Sequence, residues 1–383
     1  MRITFVTHRY WPAVGGVERY VGRLGVALRD MGHTVRVIAG AHEDDLPLQE
    51  VHDGIQILRF PARRSPTRCW WRWRQLRPVL LASDVIQVSD TAMLEYYYRM
   101  AAWMLPRRPL YLTRHGMSFR FPVPQEEIQR AQRTLSLVDG VVHDGNFIEK
   151  WLGVPADKVP PQGLAPEADE LPRIPAPPPE SAVFVGRLEP DSGITTYLEA
   201  IGLLRDQYRL PMRLDVYGDG SLRETLKAQV ARENLPVRFH GAVPDAQDRL
   251  ADGCFAFVTG RMAIQEAMAR RRVVVATYSH ALKRDYLCGE HFSPYLLAGG
   301  DAASVAALTA ECVRNAASRQ RLIDDAFEYA RTLSWRCTAG EFLDLWNTAP
   351  RRNVRRQTLS ARAALALTLR REAQGTPIPA GVR

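Results

Sequence analysis

Short apolar runs separated by helix-length amphipathic segments recur twice along this chain. That double alternation constrains the fold more than any other feature. In the first half the runs are Ile3–Thr7, Thr34–Ala39, Gly54–Phe60, Val85–Val88, Leu110–Thr113 and Val141–His143. In the second half they are Ala182–Val185, Leu214–Tyr217, Val237–Phe239, Cys254–Val258 and Val273–Ala276. Strands this short and this apolar are buried on both faces, which calls for a parallel sheet with a helix after each strand. Two such series predict two α/β domains, each a doubly wound parallel sheet. The proline-rich stretch between Pro160 and Pro179 marks the junction. The boundaries expected are 1–165 for the first domain, 166–180 for a linker and 181–335 for the second domain. A terminal helix over 336–348 is placed against the first domain, and a basic tail over 349–383 follows.

A chain of 383 residues is ample for two such cores. Its formal charge of +9 favours anionic partners such as nucleotides, phosphates or an anionic lipid surface. The five cysteines are scattered and odd in number, without metal or disulfide spacing, which fits a reducing compartment. The N-terminus enters a strand at once, unlike a secretory signal. No run approaches the ~18 apolar residues of a membrane span. The expected location is therefore cytoplasmic, with the inner face of a membrane as an attachment surface.

Candidate chemistry gathers where strands turn into helices, because open α/β sheets bind ligands at their carboxyl edge. Gly15 and Gly16 precede the first helix, where backbone N–H groups can meet an anion. His115-Gly116 follows the strand at Leu110. Gly186-Arg187 follows Ala182–Val185, and an arginine there is placed to neutralise a phosphate. Tyr217-Gly218-Asp219-Gly220 forms a further glycine-rich turn, and Gly260–Ala269 opens a helix carrying Arg261 and Glu266. Each of these has a bland alternative: a surface arginine capping a turn, a structural histidine, a loop glycine. Between Asp53 and Asp84 there is no acidic residue but there are seven arginines, among them Arg68, Arg72 and Arg74, interleaved with Trp70, Trp71 and Trp73. This reads either as a helix on an anionic bilayer surface or as a sheet-covering helix with its tryptophans in the core. Nucleic acid is not an expected partner, since no recognisable module for it is present.

Taken together, Gly15-Gly16-Val17-Glu18, His115-Gly116, Gly186-Arg187-Leu188, Tyr217-Gly218-Asp219-Gly220 and Glu266-Ala267-Met268-Ala269 resemble family 4 of the GT-B glycosyltransferases, over about residues 1–348. The resemblance implies two Rossmann-like domains facing each other across a cleft. It implies a retaining transferase that uses a nucleotide-diphosphate sugar as co-substrate and needs neither cofactor nor metal. The chain has no Asp-x-Asp, consistent with that. By the same resemblance, Gly15 and Gly16 admit the donor's distal phosphate, and Gly186 and Arg187 hold the diphosphate. Glu266 accepts from the ribose hydroxyls, Gly218 and Gly220 keep the nucleotide pocket open, and His115 sits by the transferred sugar. His115 and Arg187 are the expected catalytic residues, and no enzymic nucleophile is expected.

The chain also departs from that pattern. Ser192 stands where the family usually has a lysine, a second cation for the diphosphate, and Val258 replaces a glutamate that touches the sugar hydroxyls. Gln162-Gly163-Leu164-Ala165 replaces an Asn-Gly-Val-Asp loop. Losing one cation from such a site without compensation costs several kcal/mol of leaving-group stabilisation. Ser192 and Arg261 are the candidates for sugar or phosphate contact. Thr259-Gly260, with Ala263-Ile264 and Glu266-Ala267-Met268, is similar to a variant motif within the family, which favours a divergent enzyme over an inactive relative. The expected acceptor is a lipid or lipid-linked glycan. The alternatives are a soluble transferase with a small-molecule or protein acceptor, and a non-catalytic module that binds without turnover.

Overall fold

In a computed structural model the described residues are 1–348, except 14, 62–65, 101–107, 165, 173 and 176. The basic tail expected over 349–383 and Arg63 and Arg64 of the arginine-rich stretch lie outside them. The chain divides into two compact domains. The first is Met1–Pro161 together with the C-terminal segment from Trp335, and the second is Gln162–Ser334.

The first domain runs β1 (Arg2–Thr7), α1 (Gly16–Asp30), β2 (Thr34–Gly40), β3 (Gln49–His52), β4 (Ile55–Phe60), α2 (Pro66–Ala82), β5 (Val85–Val88), α3 (Thr91–Met100), β6 (Leu110–Arg114), α4 (Gln125–Arg133), β7 (Gly140–His143) and α5 (Asn146–Leu152). Its sheet has the order β3-β4-β2-β1-β5-β6-β7. Every pairing is parallel except that of β3 with β4. The order reverses beside β1, between β2 and β5, so the crevice of this sheet opens above the ends of β1 and β5.

Helix α2 shows why these residues fold as they do. Cys69, Trp73, Leu76 and Leu80 are buried, at spacings that place them on one face. Trp73 is fully buried against Phe60, Tyr96 and Tyr97. This corrects the membrane-contact reading for Trp73, which belongs to the core. Arg72 is corrected in the same way. Its guanidinium donates to the Arg59 and Leu48 carbonyls at 2.8 Å each and ties the helix to the sheet. Trp71 stands 59% exposed, Trp70 is half-buried, and Arg74 lies over both rings at 5.0 and 5.5 Å.

His143, at the end of β7, is wholly buried, and neither ring nitrogen has a hydrogen-bond partner among the described residues. Burial, helped by the nearby Arg114 charge, pushes its pKa down from 6.5 to about 3. The unfolded chain therefore takes up this proton near the ordinary value and the folded chain only near 3. The neutral form stabilises the fold above pH 6.5, and that contribution is lost as pH falls from there toward 3, by on the order of several kcal/mol. His143→Leu is expected to flatten the acid limb of the melting temperature between those values. An acid limb identical to that of wild type contradicts the assignment.

The second domain runs β8 (Ser181–Val185), α6 (Ile194–Asp206), β9 (Arg213–Tyr217), α7 (Arg223–Glu233), β10 (Val237–Gly241), β11 (Phe255–Phe257), α8 (Arg261–Ala269), β12 (Val273–Thr277), α9 (Ala281–Cys288), β13 (Leu297–Gly299), α10 (Ala302–Arg314) and α11 (Ala316–Arg331). Its six strands are all parallel, in the order β10-β9-β8-β11-β12-β13. The order reverses between β8 and β11. One face of the sheet packs Leu198, Ile201 and Leu204 of α6, and the other packs Ile264 and Met268 of α8 with Phe327 of α11. Residues 166–172, expected as part of a linker, include a short 3-10 turn at Ala168–Glu170, and Ala168 is buried in this domain.

Helix α12 (Trp335–Thr348) returns to the first domain and packs along α1. Trp346 Nε1 donates to Gln87 Oε1 at 3.1 Å, and Lys158 Nζ pairs with Glu341 and Asp344. Its three aromatics, Trp335, Phe342 and Trp346, are buried.

Candidate functional site

At the switch point of the second sheet, β8 ends in Gly186 and Arg187. The turn they form rests directly on the turn after β9. Gly186 N donates to the Tyr217 carbonyl at 3.1 Å, and Leu188 N to that of Asp219 at 2.9 Å. A Cβ at Gly218, whose φ is +149°, would lie 1.8 Å from the Gly186 carbonyl oxygen, and one at Gly220 would lie 2.5 Å from that of Leu188. Both glycines are thus required by two backbones in contact.

Arg187 projects from this turn 72% exposed, and Nη2 donates to Asp191 Oδ2 at 3.0 Å. An exposed pair of this kind contributes little to stability, so the guanidinium is readily turned to a stronger anion. The segment behind it is firmly held. Ser192 Oγ donates to the Glu189 carbonyl at 2.7 Å, and the Ser192 carbonyl accepts from Thr259 Oγ1 at 3.1 Å. Glu189 accepts from Ser221 N and Oγ, which hold its carboxyl below the usual range. Gly193 then takes a left-handed φ of +82° and starts α6. A Cβ there would lie 2.5 Å from Thr277 Cγ2.

Across the same switch point, after β11, helix α8 carries Arg261 and Glu266, both buried. Arg261 does not present an open charge. Its Nη2 lies 3.0 Å from Glu290 Oε2, both side chains are almost fully buried, and the guanidinium stands over Phe292. A buried pair of this kind is costly to break. Lys283 of α9 also reaches the region, and its Nζ donates to the Asp191 carbonyl.

In the first domain the switch point brings together His8, after β1, and Asp90, after β5. His8 Nε2 lies 3.3 Å from Asp90 Oδ1, and Asp90 also accepts from Met93 N at the start of α3. Burial lowers the pKa of His8, but the bond to Asp90 and its charge outweigh that, and the net shift is upward. Asp90 stays below the usual range because His8 and Met93 outweigh its burial. His115, after β6, meets Tyr20 edge to face at 4.7 Å. Burial lowers its pKa and outweighs the Asp144 and Asp90 charges, so it is neutral at pH 7. Gly16 opens α1 with free space at its Cβ position, whereas a Cβ at Gly15 would meet the Glu18 carboxylate at 2.2 Å.

The sequence thus singled out Gly186, Arg187, Ser192, Arg261 and Glu266, which the fold gathers at one switch point, and Gly15, Gly16 and His115 at strand ends of the other sheet. It missed His8 and Asp90, whose only signal was their place just past a strand. It also missed Lys283, which no strand end marks. Trp70, Trp71, Arg68 and Arg74 lie elsewhere, beside a groove of about 350 Å3 that Trp71 and Arg68 line with Leu46 and Leu48.

Two mostly parallel α/β sheets, each with loops at a switch point, make up a GT-B fold. Residues 14–158 match the family model described as Glycosyltransferase Family 4, and residues 179–315 match Glycosyl transferases group 1. The chain belongs to the GT-B glycosyltransferases of the family 4 type. A phosphatidyl-myo-inositol mannosyltransferase of Mycobacterium leprae is 26% identical to it, over 91% of this chain and 97% of that protein. Among solved structures, Anabaena Alr3699/HepE in complex with UDP superposes with a TM-score of 0.71 at 18% identity, covering 90% of this chain and 100% of that one. Sucrose-phosphate synthase of Thermosynechococcus elongatus gives 0.69 at 17% identity, covering 90% and 98%.

Proposed function

We propose that this glycosyltransferase moves a sugar from a nucleotide-diphosphate sugar to a lipid or lipid-linked glycan acceptor, with retention of configuration. The observation that carries the reading is Arg187, held at the β8 switch point on a rigid turn and paired only to an exposed aspartate. The acceptor hydroxyl bonds to the anomeric carbon as the bond from that carbon to the diphosphate oxygen breaks. The hydroxyl proton passes to the leaving diphosphate, so no protein nucleophile enters. Fixed positive charge at the diphosphate stabilises the developing charge of the leaving group. The roles of Gly15, Gly16 and His115 rest on the family resemblance alone.

The printed name of the Mycobacterium leprae relative supports a lipid acceptor. So does the exposed Trp71 with Arg68 and Arg74, a combination that suits the headgroup region of an anionic leaflet. Among the described residues no helix is long and apolar enough to cross a membrane. The proposed attachment is peripheral, at the inner face. Incubation of the enzyme with membranes and a radiolabelled nucleotide-sugar tests the acceptor. Label in the organic phase is the expected result, and label only in water-soluble product favours the alternative acceptor. The same incubation with chelator tests the proposed metal independence, with undiminished transfer expected.

Glu266 is the proposed ribose ligand. Glu266→Ala removes a charged acceptor from the paired ribose hydroxyls, a loss of about 1.5–3 kcal/mol. Isothermal titration with the preferred nucleoside diphosphate is expected to show affinity reduced by about ten- to a hundred-fold. Unchanged affinity contradicts the role.

A further inference from the structure

Lys283 is an unusual residue for its setting. It is 9% exposed, on a short helix at the carboxyl edge of the second sheet. Its ammonium has one hydrogen-bond partner among the described residues, the neutral carbonyl of Asp191, and no carboxylate within ion-pair distance. The Asp191 carboxylate is engaged with Arg187 instead. Desolvating an ammonium without a paired anion is expensive, and folds normally avoid it. Burial pulls its pKa down; the Asp191 charge acts in the opposite direction and the Arg187 charge adds to the lowering. Two cations therefore reach one turn, Arg187 exposed and bonded to the Asp191 carboxylate, Lys283 buried and bonded to the Asp191 carbonyl.

We propose that Lys283 is the second cation of the donor-diphosphate site, entering from α9 and taking the place that Ser192 leaves without a charge. The inference rests on the donor-site reading given above and adds to it the residue that completes the charge. An incoming diphosphate brings more negative charge than Arg187 alone offsets. Lys283, already stripped of most of its water, gains the anion it lacks. The Asp191 carbonyl holds the side chain in position beforehand, so little side-chain entropy is lost on binding. Arg261, whose charge Glu290 answers inside the domain, does not fill this role.

The test uses Lys283→Gln, which keeps an N–H donor for the Asp191 carbonyl and removes the charge. Wild type, K283Q, R187A and the double variant K283Q/S192K are titrated with UDP and GDP and with the matching monophosphates. For the nucleotide that wild type prefers, K283Q is expected to lose about ten-fold or more of its diphosphate affinity. The preference for diphosphate over monophosphate shrinks with it. Ser192→Lys in the K283Q background restores a cation beside the same turn and is expected to recover most of that preference, which a merely structural role would not produce. A K283Q variant with unchanged preference, while R187A loses it, overturns the inference and leaves the donor site standing. Failure of S192K to recover a folded K283Q protein also counts against it. Wild type binding neither diphosphate overturns the donor-site reading and the inference together.

Discussion

Arg187→Ala is expected to reduce sugar transfer by about a hundred-fold or more, the scale of losing one fixed donor to a developing anion. The melting temperature is expected to stay within about 2 °C of wild type. The two expectations follow from one geometry. The side chain is 72% exposed, pairs with the exposed Asp191, and is a member of neither core cluster of the second sheet. The turn beneath it is held by backbone bonds to the β9 loop, which alanine leaves intact. The loss should therefore fall on kcat, because the charge is needed most as the diphosphate departs. An inactive variant that is also unfolded would assign Arg187 a structural role. An active variant would remove it from the mechanism.

Trp73→Ala is expected to cost about 3–5 kcal/mol, the range for truncating a fully buried aromatic. It would lower the melting temperature of the first domain by roughly 10 °C. The indole packs between β4 and α3, against Phe60, Tyr96 and Tyr97. Trp71→Ala, two residues away on the opposite face, is expected to leave melting unchanged and to weaken flotation with anionic liposomes. Both effects come from one helix, so the pair separates the two readings of the arginine–tryptophan segment. Equal flotation of wild type and the Trp71 variant withdraws the support this surface gives to a lipid acceptor.

What the sequence made legible follows from where side-chain chemistry is local. The central strands were readable because both faces of a parallel strand are buried, as in Val85–Val88 or Val273–Thr277. Two of the four edge strands were not. Gln49–His52 is polar and leaves Val51 68% exposed, and Leu297–Gly299 is only three residues long. Arg187 was legible because its place depends on the four residues before it. The two faces of α2 were not separable by composition, since alternate tryptophans of one run serve the core and the surface. Lys283 was illegible for the opposite reason. Its partner lies 92 residues away, and only the order β8-β11-β12 brings α9 beside the β8 turn. The pairing of Arg261 with Glu290 across the α8–α9 region was not legible either, since the two are 29 residues apart in sequence.

The second domain also explains how a turn without the usual lysine remains ordered. Ser192 gives its hydroxyl to Glu189 and its carbonyl to Thr259, and Gly193 supplies the left-handed step into α6. The departure at Ser192 thus changes the charge of the turn without loosening it. Val258, which stands where a sugar-contacting glutamate is usual, is buried beneath α8 and contributes to the core. On the proposed function, the donor sugar is recognised without a carboxylate at this position.

On the proposed function, the switch-point turn of the second domain holds the diphosphate of a nucleotide-sugar donor. The most direct measurement is a thermal-shift panel of nucleoside diphosphates and their sugars, with and without chelator, on wild type and Arg187→Ala. A ligand that binds only the folded chain raises its melting temperature by mass action. Stabilisation by one nucleotide class, indifferent to chelator and lost in Arg187→Ala, is the expected result. Stabilisation by none of them, or equal stabilisation of the Arg187 variant, would contradict the proposed role of this turn.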